Sequence, residues 1–188
     1  MAIVPVLVYP DPRLKQVSEK VQSCDDAEVR KIIEDLVETM YSSPGCVGIA
    51  APQIGAMKRI IVIDASRNAK NFPNQGKMIL LNPVIETQEG EVLGREGCLS
   101  IPDLTANVKR AEKITFSATT PEGNAVHLEA SGFEARVILH EYDHLDGILF
   151  LDRVASLKTD VFRRKRYSTP VHSAEDARGS TVDGAASS

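Results

Sequence analysis

The sequence predicts an α+β domain in which antiparallel β-sheets pack around a central helix, with a further helix near the N-terminus. Apolar residues follow helical spacing in two segments, and a run of short β-type segments lies between them. The links between the β-type segments contain Gly, Pro and Asn but no helical crossover pattern. Links of this kind favour antiparallel pairing over a parallel α/β arrangement.

The N-terminal helix is predicted over residues 25–43. Its apolar side chains recur at i, i+3, i+4 and i+7, which gives the helix one buried stripe. These side chains are Val29, Ile32, Ile33, Leu36 and Met40. Asp25 and Glu28 resemble a capping box at the start of this helix, and the segment 42–45 (Ser-Ser-Pro-Gly) ends it.

Four β-type segments follow, separated by turn residues. They are Arg59–Ala65, Met78–Ile85, Lys113–Ala118 and Asn124–Glu129. The second helix is predicted to begin near Ser131, where Ser-Gly-Phe-Glu fits a capping box, and to run to about Leu145.

Length and composition fit one soluble globular domain. The chain has 188 residues, with 22 Lys and Arg against 26 Asp and Glu, a net charge of −4 and 43% hydrophobic residues. This balance excludes a wholly disordered chain and a broadly basic nucleic-acid binder. Residues 1–167 are predicted to form a single domain. Residues 168–188 are poor in large apolar side chains and are expected to form a disordered C-terminal tail.

The sequence also predicts a compartment. No segment reaches the ~20 apolar residues of a membrane span. Pro5, Pro10 and Pro12 interrupt the region where a signal peptide would need an apolar helix, and the odd number of cysteines argues against a secreted disulfide scaffold. We therefore expect a cytoplasmic monomer without membrane contact, from a bacterium. A mature organellar chain whose leader has been removed would give the same pattern.

The segment His140-Glu141-Tyr142-Asp143-His144 is an H-E-x-x-H motif inside the predicted second helix. At i and i+4 both imidazoles project from one helical face and can bind one metal ion, while Glu141 lies at the edge of that face. The alternative is a helix with two surface histidines in a charged run. The apolar, capped helix around the motif favours the metal, so the central helix is predicted to be a metal-binding HExxH helix.

A catalytic site of this type uses three protein ligands and keeps one position open for water. The candidates for the third ligand are His127, His172, Cys24, Cys46, Cys98 and Glu129. His172 lies near the predicted tail and Cys24 precedes the first helix, which makes both of them poor candidates. Cys98 lies in a glycine-containing turn before an extended segment, where a loop can present a thiolate.

Three segments resemble, in order and spacing, the three signature motifs of peptide deformylases. They are 46–55 (CVGIAAPQIG), 96–100 (EGCLS) and 140–147 (HEYDHLDG). The resemblance extends from about Tyr9 to Asp152, some three quarters of the chain. Three collinear motifs are far more specific than H-E-x-x-H alone.

The resemblance implies a ligand set and a metal. It makes Cys98, His140 and His144 the ligands of one divalent ion. Members of the family commonly use ferrous iron, so Fe²⁺ is the expected native metal, with Zn²⁺ or Ni²⁺ present in some purified forms.

The resemblance also implies a reaction. Glu141 is the expected general acid and base, while the Gln53 side-chain amide and the Leu99 backbone N–H are the expected donors to the developing oxyanion. The substrates are N-formylmethionyl nascent peptides, and the products are formate and a free N-terminus.

Helical spacing adds candidates for a substrate pocket. Phe133, Arg136 and Val137 lie seven, four and three residues before the first motif histidine and share its face. A methionine side chain would meet Phe133 and Val137, with Val47 opposite, and Gly48 would let the substrate backbone pair as an added strand. Core packing is the alternative for Phe133 and Val137. Arg136 is expected at the pocket rim, with its charge toward solvent.

The chain departs from the family pattern at two positions. The first motif usually opens Gly-x-Gly, but here Cys46 stands first, and Leu139 replaces the usual Gln before the first histidine. Neither change touches an expected ligand, the base or an oxyanion donor.

Two features outside the motifs carry predictions. Arg110 and Asp143 are predicted to form a buried pair that supports the metal-binding helix. The run 163–166 (Arg-Arg-Lys-Arg), after an apparently helical start at Leu157, is a dense positive cluster. A solvated face is the favoured interpretation, and contact with ribosomal RNA is the alternative.

Two other functions compete with a deformylase. A zinc endopeptidase of the HExxH kind would usually have His or Glu as its third ligand, so a cysteine there argues against it. An inactive metal-binding homologue would be expected to lose Glu141 or Gln53 before its ligands, and both residues are present.

Overall fold

The computed structural model describes residues 3–164 of the chain. Within these residues the two α-helices are α1 (Ala27–Ser42) and α2 (Gly132–Leu145). The strands are β1 (Gly48–Ala50), β2 (Ile60–Asp64), β3 (Lys77–Glu89), β4 (Val92–Cys98), β5 (Ile101–Arg110), β6 (Lys113–Thr119), β7 (Ala125–Ser131) and β8 (Val161–Arg163). The predicted tail, 168–188, lies outside the described residues.

Helix α1 forms where the apolar stripe predicts it. The stripe is buried in a cluster with β1 and β2. The helix start differs from the prediction by one residue, because the Asp26 carboxylate, not that of Asp25, accepts from the Glu28 N–H at 2.9 Å. Burial of one face, more than capping, therefore fixes the position of this helix.

The larger sheet has five strands in the order β1-β2-β3-β6-β7, and every neighbouring pair is antiparallel. It contains all four strands that the sequence predicts. Strand β2 is buried throughout, between α1 on one side and α2 on the other. Its unbroken apolar run therefore reflects burial on both faces.

The smaller sheet, in the order β4-β5-β8, was not predicted. The sequence analysis placed residues 95–98 in a turn, but they end a seven-residue strand whose buried positions alternate as Glu96 and Cys98. The predicted helical start at Leu157 was also wrong. Residues Val161–Arg163 instead form β8, and the Phe162 ring packs against the Arg95 guanidinium at 3.8 Å.

Helix α2 lies between the sheets, and 11 of its 14 residues are buried. The predicted capping box is wrong, since Ser131 makes no side-chain cap hydrogen bond. The Glu134 carboxylate instead accepts from the backbone and side-chain N–H groups of Gln75, at 2.7 and 2.8 Å. The helix ends at Leu145. Two residues later the chain turns at Gly147, whose φ of +70° suits glycine and whose missing side chain leaves room for the backbone of Lys15.

The coarse fold prediction is confirmed: the described residues form a mixed α/β fold with antiparallel sheets and few helices. Within residues 3–164, every helix is too short or too polar to cross a membrane.

Candidate active site

Strand β4 and helix α2 bring together three side chains that could hold a metal ion. The donor atoms of Cys98, His140 and His144 all lie within 4.8 Å of one another, and all three residues are buried. The Cys98 sulfur is 3.3 Å from Nε2 of His144. In the part of the chain that the structure describes, this is the one such group of His, Cys, Asp and Glu residues.

The other candidate ligands lie elsewhere or have other partners. His127 is on β7, with Nδ1 3.0 Å from a carboxylate oxygen of Glu86, and Glu129 pairs with Lys113. Cys24 packs against the α1 cluster. Cys46 lines the same cavity as Cys98, but its thiol donates to the Gly48 carbonyl at 3.1 Å. His172 lies outside the described residues.

The charge of the Cys98 side chain follows from its neighbours. Burial by itself would raise the pKa of this thiol, but His144 and His140 beside it lower the pKa well below its usual value. The reciprocal effect acts on His140: burial lowers its pKa, while hydrogen bonds with Cys98 and Glu96 raise it well above the usual range. Cys98 is therefore a thiolate, and its negative charge beside two imidazoles makes a donor set that attracts a cation.

Glu96 is a functional residue that the sequence analysis missed. Its carboxylate accepts from Nδ1 of His140 at 2.8 Å, from Nε of Arg110 at 2.8 Å and from Nη1 of Arg136 at 3.0 Å. Burial raises the pKa of Glu96, but the hydrogen bonds from His140 and Arg110 hold it far below its usual value. Glu96 therefore fixes the ring orientation and the tautomer of His140, one of the three candidate metal ligands. Its position two residues before Cys98 on one strand was the available clue, because i and i+2 share a strand face.

The predicted pair between Arg110 and Asp143 is present and buried. Nη1 of Arg110 lies 2.6 Å from the Asp143 carboxylate, and both side chains are about 5% exposed. A third partner, Arg153, was not predicted, and it makes two further hydrogen bonds to Asp143 at 2.7 and 2.8 Å. The chain Glu96–Arg110–Asp143 thus joins β4 and β5 to the back of α2.

The orientation expected for Arg136 was wrong. Its guanidinium points inward to Glu96 and donates to the backbone carbonyls of Val108 and Val92, at 2.8 and 2.7 Å. The reason is that the smaller sheet covers this part of α2, so no solvent lies where the rim was expected. Arg136 still borders the cavity.

Glu141 has the environment of a general acid and base. Its Oε2 is buried with no hydrogen-bond partner among the described residues. Burial raises the pKa of this carboxyl to about 7, although His140 and His144 act to lower it. A pKa near neutrality suits a group that must both accept and return a proton.

Gln53 is oriented by its own backbone neighbourhood. It lies in a short 3-10 turn, Ala51–Ile54, where its Oε1 accepts from the Ala50 N–H at 2.9 Å. This contact identifies which end of the amide is the oxygen and which is the nitrogen. The nitrogen, Nε2, then points toward Sγ of Cys98 at 3.4 Å and Oγ of Ser100 at 3.2 Å. The donor end of the amide therefore faces the same cavity as the metal-binding group.

One cavity of about 300 Å³ collects these residues. The expected pocket residues Val47, Gly48, Phe133, Arg136 and Val137 all line it, as do Gln53, Cys98, Leu99, His140 and Glu141. His144 lies behind this wall, 1% exposed. The Phe133 ring is stacked on Phe72, at a centroid distance of 5.0 Å, which extends the apolar wall.

The chain as a whole is similar to known proteins. The family model described as Polypeptide deformylase matches residues 3–160 of the chain, a span that includes Gln53, Cys98, His140, Glu141 and His144. The chain belongs to the peptide deformylase family.

Individual deformylases support the assignment. The chain is 42% identical to a peptide deformylase of Thermodesulfovibrio yellowstonii, over 88% of this chain and 97% of that protein. It is 44% identical to one of Alkalilimnicola ehrlichii, over 88% and 89%. A Met-Ala-Ser-bound class I type b deformylase of Acinetobacter baumannii superposes with a TM-score of 0.77 at 33% identity, covering 81% of this chain and 99% of that one. These relatives favour a deformylase over an endopeptidase.

The two departures from the deformylase pattern fall in different places. Leu139 is part of the core cluster behind α2 and borders a second, polar cavity there, away from the metal-binding group. Cys46 borders the active-site cavity, and burial together with the nearby Glu141 raises the pKa of its thiol to about 12. Cys46 is therefore a neutral thiol with low nucleophilicity in this deformylase.

Gly48 lies where a larger residue would collide with Glu141 and Val137. A Cβ on Gly48 would lie 2.8 Å from Oε1 of Glu141 and 2.9 Å from Cγ1 of Val137. We expect Gly48→Ala to displace the Glu141 carboxylate and to lower kcat at least about tenfold. Overpacking should also cost about 1–3 kcal/mol of stability. Steady-state kinetics and thermal unfolding measure both effects, and a wild-type kcat would show that Gly48 does not set the position of Glu141.

Proposed function

We propose that this chain hydrolyses the formyl group of N-formylmethionyl peptides, releasing formate and a free N-terminal amine. One observation supports the proposal most strongly. One cavity of about 300 Å³ is bordered by an unpartnered buried carboxylate, by an amide donor and by Cys98 and His140 of a Cys-His-His donor group, with His144 directly behind its wall. No feature of this set is specific to cleavage of a peptide bond within a chain.

Cys98, His140 and His144 are proposed to hold one divalent metal ion, which makes α2 a metal-binding HExxH helix. The fit is chemical as well as geometric, because a thiolate and two imidazoles are donors that Fe²⁺ and Zn²⁺ both accept. The bound ion would supply a Lewis acid that makes water more acidic and polarises the formyl carbonyl. We propose Fe²⁺ as the native metal, with Zn²⁺ or Ni²⁺ as replacements.

Glu141 moves the proton. Its unpartnered Oε2 accepts a proton from the attacking water, and the same carboxyl then delivers that proton to the departing amine nitrogen. Because the two transfers run in opposite directions, a pKa near 7 serves each of them without a large cost to the other.

Gln53 and Leu99 are the proposed donors to the oxygen that becomes negative when the formyl carbon is attacked. The Gln53 amide is preorganised, since Ala50 holds its oxygen and leaves Nε2 facing the cavity. The Leu99 backbone N–H follows directly after the ligand Cys98. Each donor of this kind contributes about 3 kcal/mol to lowering the barrier in comparable sites.

The methionine side chain is proposed to lie against Phe133, Val137 and Val47, which form the apolar part of the cavity. Strand β1 is an edge strand of the larger sheet, so the peptide backbone can pair with it beside Gly48. The Acinetobacter baumannii deformylase was solved with Met-Ala-Ser bound, which supports a short peptide as the occupant of the equivalent cavity here.

An activity assay tests this function. The protein is purified without oxygen, its metal is identified by elemental analysis, and amine release from formyl-Met-Ala-Ser is measured. We expect turnover that is lost on chelation and returns with Fe²⁺. Absence of turnover at full metal occupancy would reject the proposal, and cleavage of unformylated casein would support an endopeptidase instead.

The oligomeric state, the compartment, the domain limits and the basic run stay predictions. We propose that the protein is monomeric and cytoplasmic in a bacterium, and that the catalytic domain spans 1–167 with a tail over 168–188. Contact of the basic run 163–166 with ribosomal RNA stays an alternative to a solvated face, and residues 165 and 166 lie outside the described part of the chain.

A further inference from the structure

Two arginines line the active-site cavity without a place in the chemistry described above. Arg95 and Arg164 are both exposed, and both border the cavity that holds Cys98 and Glu141. Arg95 lies on β4 next to the buried Glu96, so its side chain points to the opposite, outer face of that strand. The Arg164 guanidinium occupies the space above Gly97, where a Cβ would overlap its Nη2 atom.

The two arginines are held in place by neutral groups. The Arg95 guanidinium donates to Oδ1 of Asn107 at 3.0 Å and stacks on the Phe162 ring. The backbone N–H of Arg164 donates to the Asp103 carbonyl at 2.8 Å. Within residues 3–164, neither guanidinium forms an ion pair.

The described residues that line the cavity offer these cations no free counter-ion. Its two carboxylates are Glu141, which serves the reaction, and Glu96, which already pairs with Arg110, Arg136 and His140. Among residues 3–164, the mouth therefore carries two positive charges that form no ion pair, on a chain whose net charge is −4. Such a pair at the mouth of a cavity attracts an anion that enters it.

The two arginines lie beside an edge strand along which a bound peptide could run. Strand β4 is the edge strand of the smaller sheet, as β1 is of the larger one, and both edges border the cavity. Gly97 directly precedes Cys98, so Arg164 lies about one residue, ~3.8 Å, from a metal-binding position along the strand. An extended peptide advances about 3.3 Å per residue, so a peptide that runs along β4 away from Cys98 would place the residues after the formylated methionine near Gly97 and Arg95.

We propose that Arg95 and Arg164 form a carboxylate-binding subsite that favours acidic residues at the second or third position of the formylated peptide. This inference rests on the proposed deformylase function and adds a preference that the catalytic residues do not explain. The carboxylate can belong to an Asp or Glu side chain or to the free C-terminus of a short peptide.

Matched peptides test the subsite in the metal-loaded enzyme. Formyl-Met-Ala-Asp-amide is compared with formyl-Met-Ala-Asn-amide, and formyl-Met-Asp-Ala-amide with formyl-Met-Asn-Ala-amide. We expect kcat/KM to favour the acidic member of at least one pair by about fivefold, mainly through KM, with the ratio falling as salt is added. Formyl-Met-Ala as free acid and as amide separates a terminal carboxylate from a side-chain carboxylate.

Variants assign the preference to the two arginines. Arg164→Gln and Arg95→Gln should each lower the acidic-to-neutral ratio by about threefold, and Arg164→Lys should restore part of it. Arg163→Gln is the matched control, because it removes the same charge from the neighbouring residue, which does not border the cavity. It should leave the ratio unchanged.

The possible failures are distinguishable. Equal kcat/KM values within every wild-type pair, or a preference that survives both Gln substitutions, would overturn the subsite while leaving the deformylase function intact. No turnover of any peptide would overturn both. If Arg164→Gln weakens salt-sensitive ribosome binding and leaves the peptide ratio unchanged, Arg164 contacts RNA and the subsite is rejected.

Discussion

Replacing Glu141 by glutamine should lower kcat for formyl-Met-Ala-Ser by about a thousandfold and leave the metal bound. Glutamine has the shape of glutamate but cannot accept the proton of the attacking water at neutral pH. The ligand atoms of Cys98, His140 and His144 are unchanged by this substitution. Because Oε2 of Glu141 has no hydrogen-bond partner among the described residues, the amide breaks no existing contact at that atom. Thermal unfolding should therefore occur within a few degrees of wild type.

Glu134→Gln is the matched control for this experiment. Glu134 is a buried carboxylate in the same helix, but it binds Gln75 and does not border the active-site cavity. We expect kcat to stay within about twofold of wild type in this variant. If Glu141→Gln with a full complement of metal keeps more than a tenth of wild-type kcat, Glu141 is not the general base.

The sequence predicts which side chains of α2 lie together because their spacing is local. His140, Glu141 and His144 lie within five consecutive residues, so one helical turn fixes their relation before any tertiary contact forms. Cys98 and Gln53 could be placed beside them only through the resemblance to a known family. Nothing in the residues alone selects Cys98 from the other candidate ligands, because that choice depends on which strand packs against α2.

The groups that orient the site depend on long-range packing. Glu96 contacts residues 14, 40 and 44 positions away, and no periodicity in the sequence specifies these contacts. The inward orientation of Arg136 was missed for the same reason: the strands that cover it, β4 and β5, were not predicted. Their sequences include Gly94, Gly97 and several polar residues, and fewer than half of the residues in each strand are buried. Such a pattern has weak β propensity until the hairpin packs against α2.

Removal of Arg110 should be the most destabilising single change in the support of the site. Its side chain is 5% exposed and lies between the buried carboxylates of Glu96 and Asp143. Arg110→Ala leaves two negative charges with fewer partners in a region of low dielectric constant. The expected cost is about 3–5 kcal/mol of unfolding free energy, which corresponds to a decrease of about 10 °C in Tm. Because Glu96 also orients His140, metal affinity should fall about tenfold to a hundredfold.

Arg153→Ala is the matched control, because Arg153 binds the same Asp143 carboxylate from a side chain that is 45% exposed. Exposed pairs contribute little, so this variant should lose at most about 1 kcal/mol and keep its metal affinity. Thermal unfolding and competition with a chelator measure the two quantities in both variants, and Arg110→Lys provides a folded comparison if Arg110→Ala does not fold. Equal losses of stability in the two alanine variants would show that burial does not increase the contribution of Arg110 to the free energy of unfolding. A loss of stability with unchanged metal affinity would show that the network supports the sheet but does not orient His140.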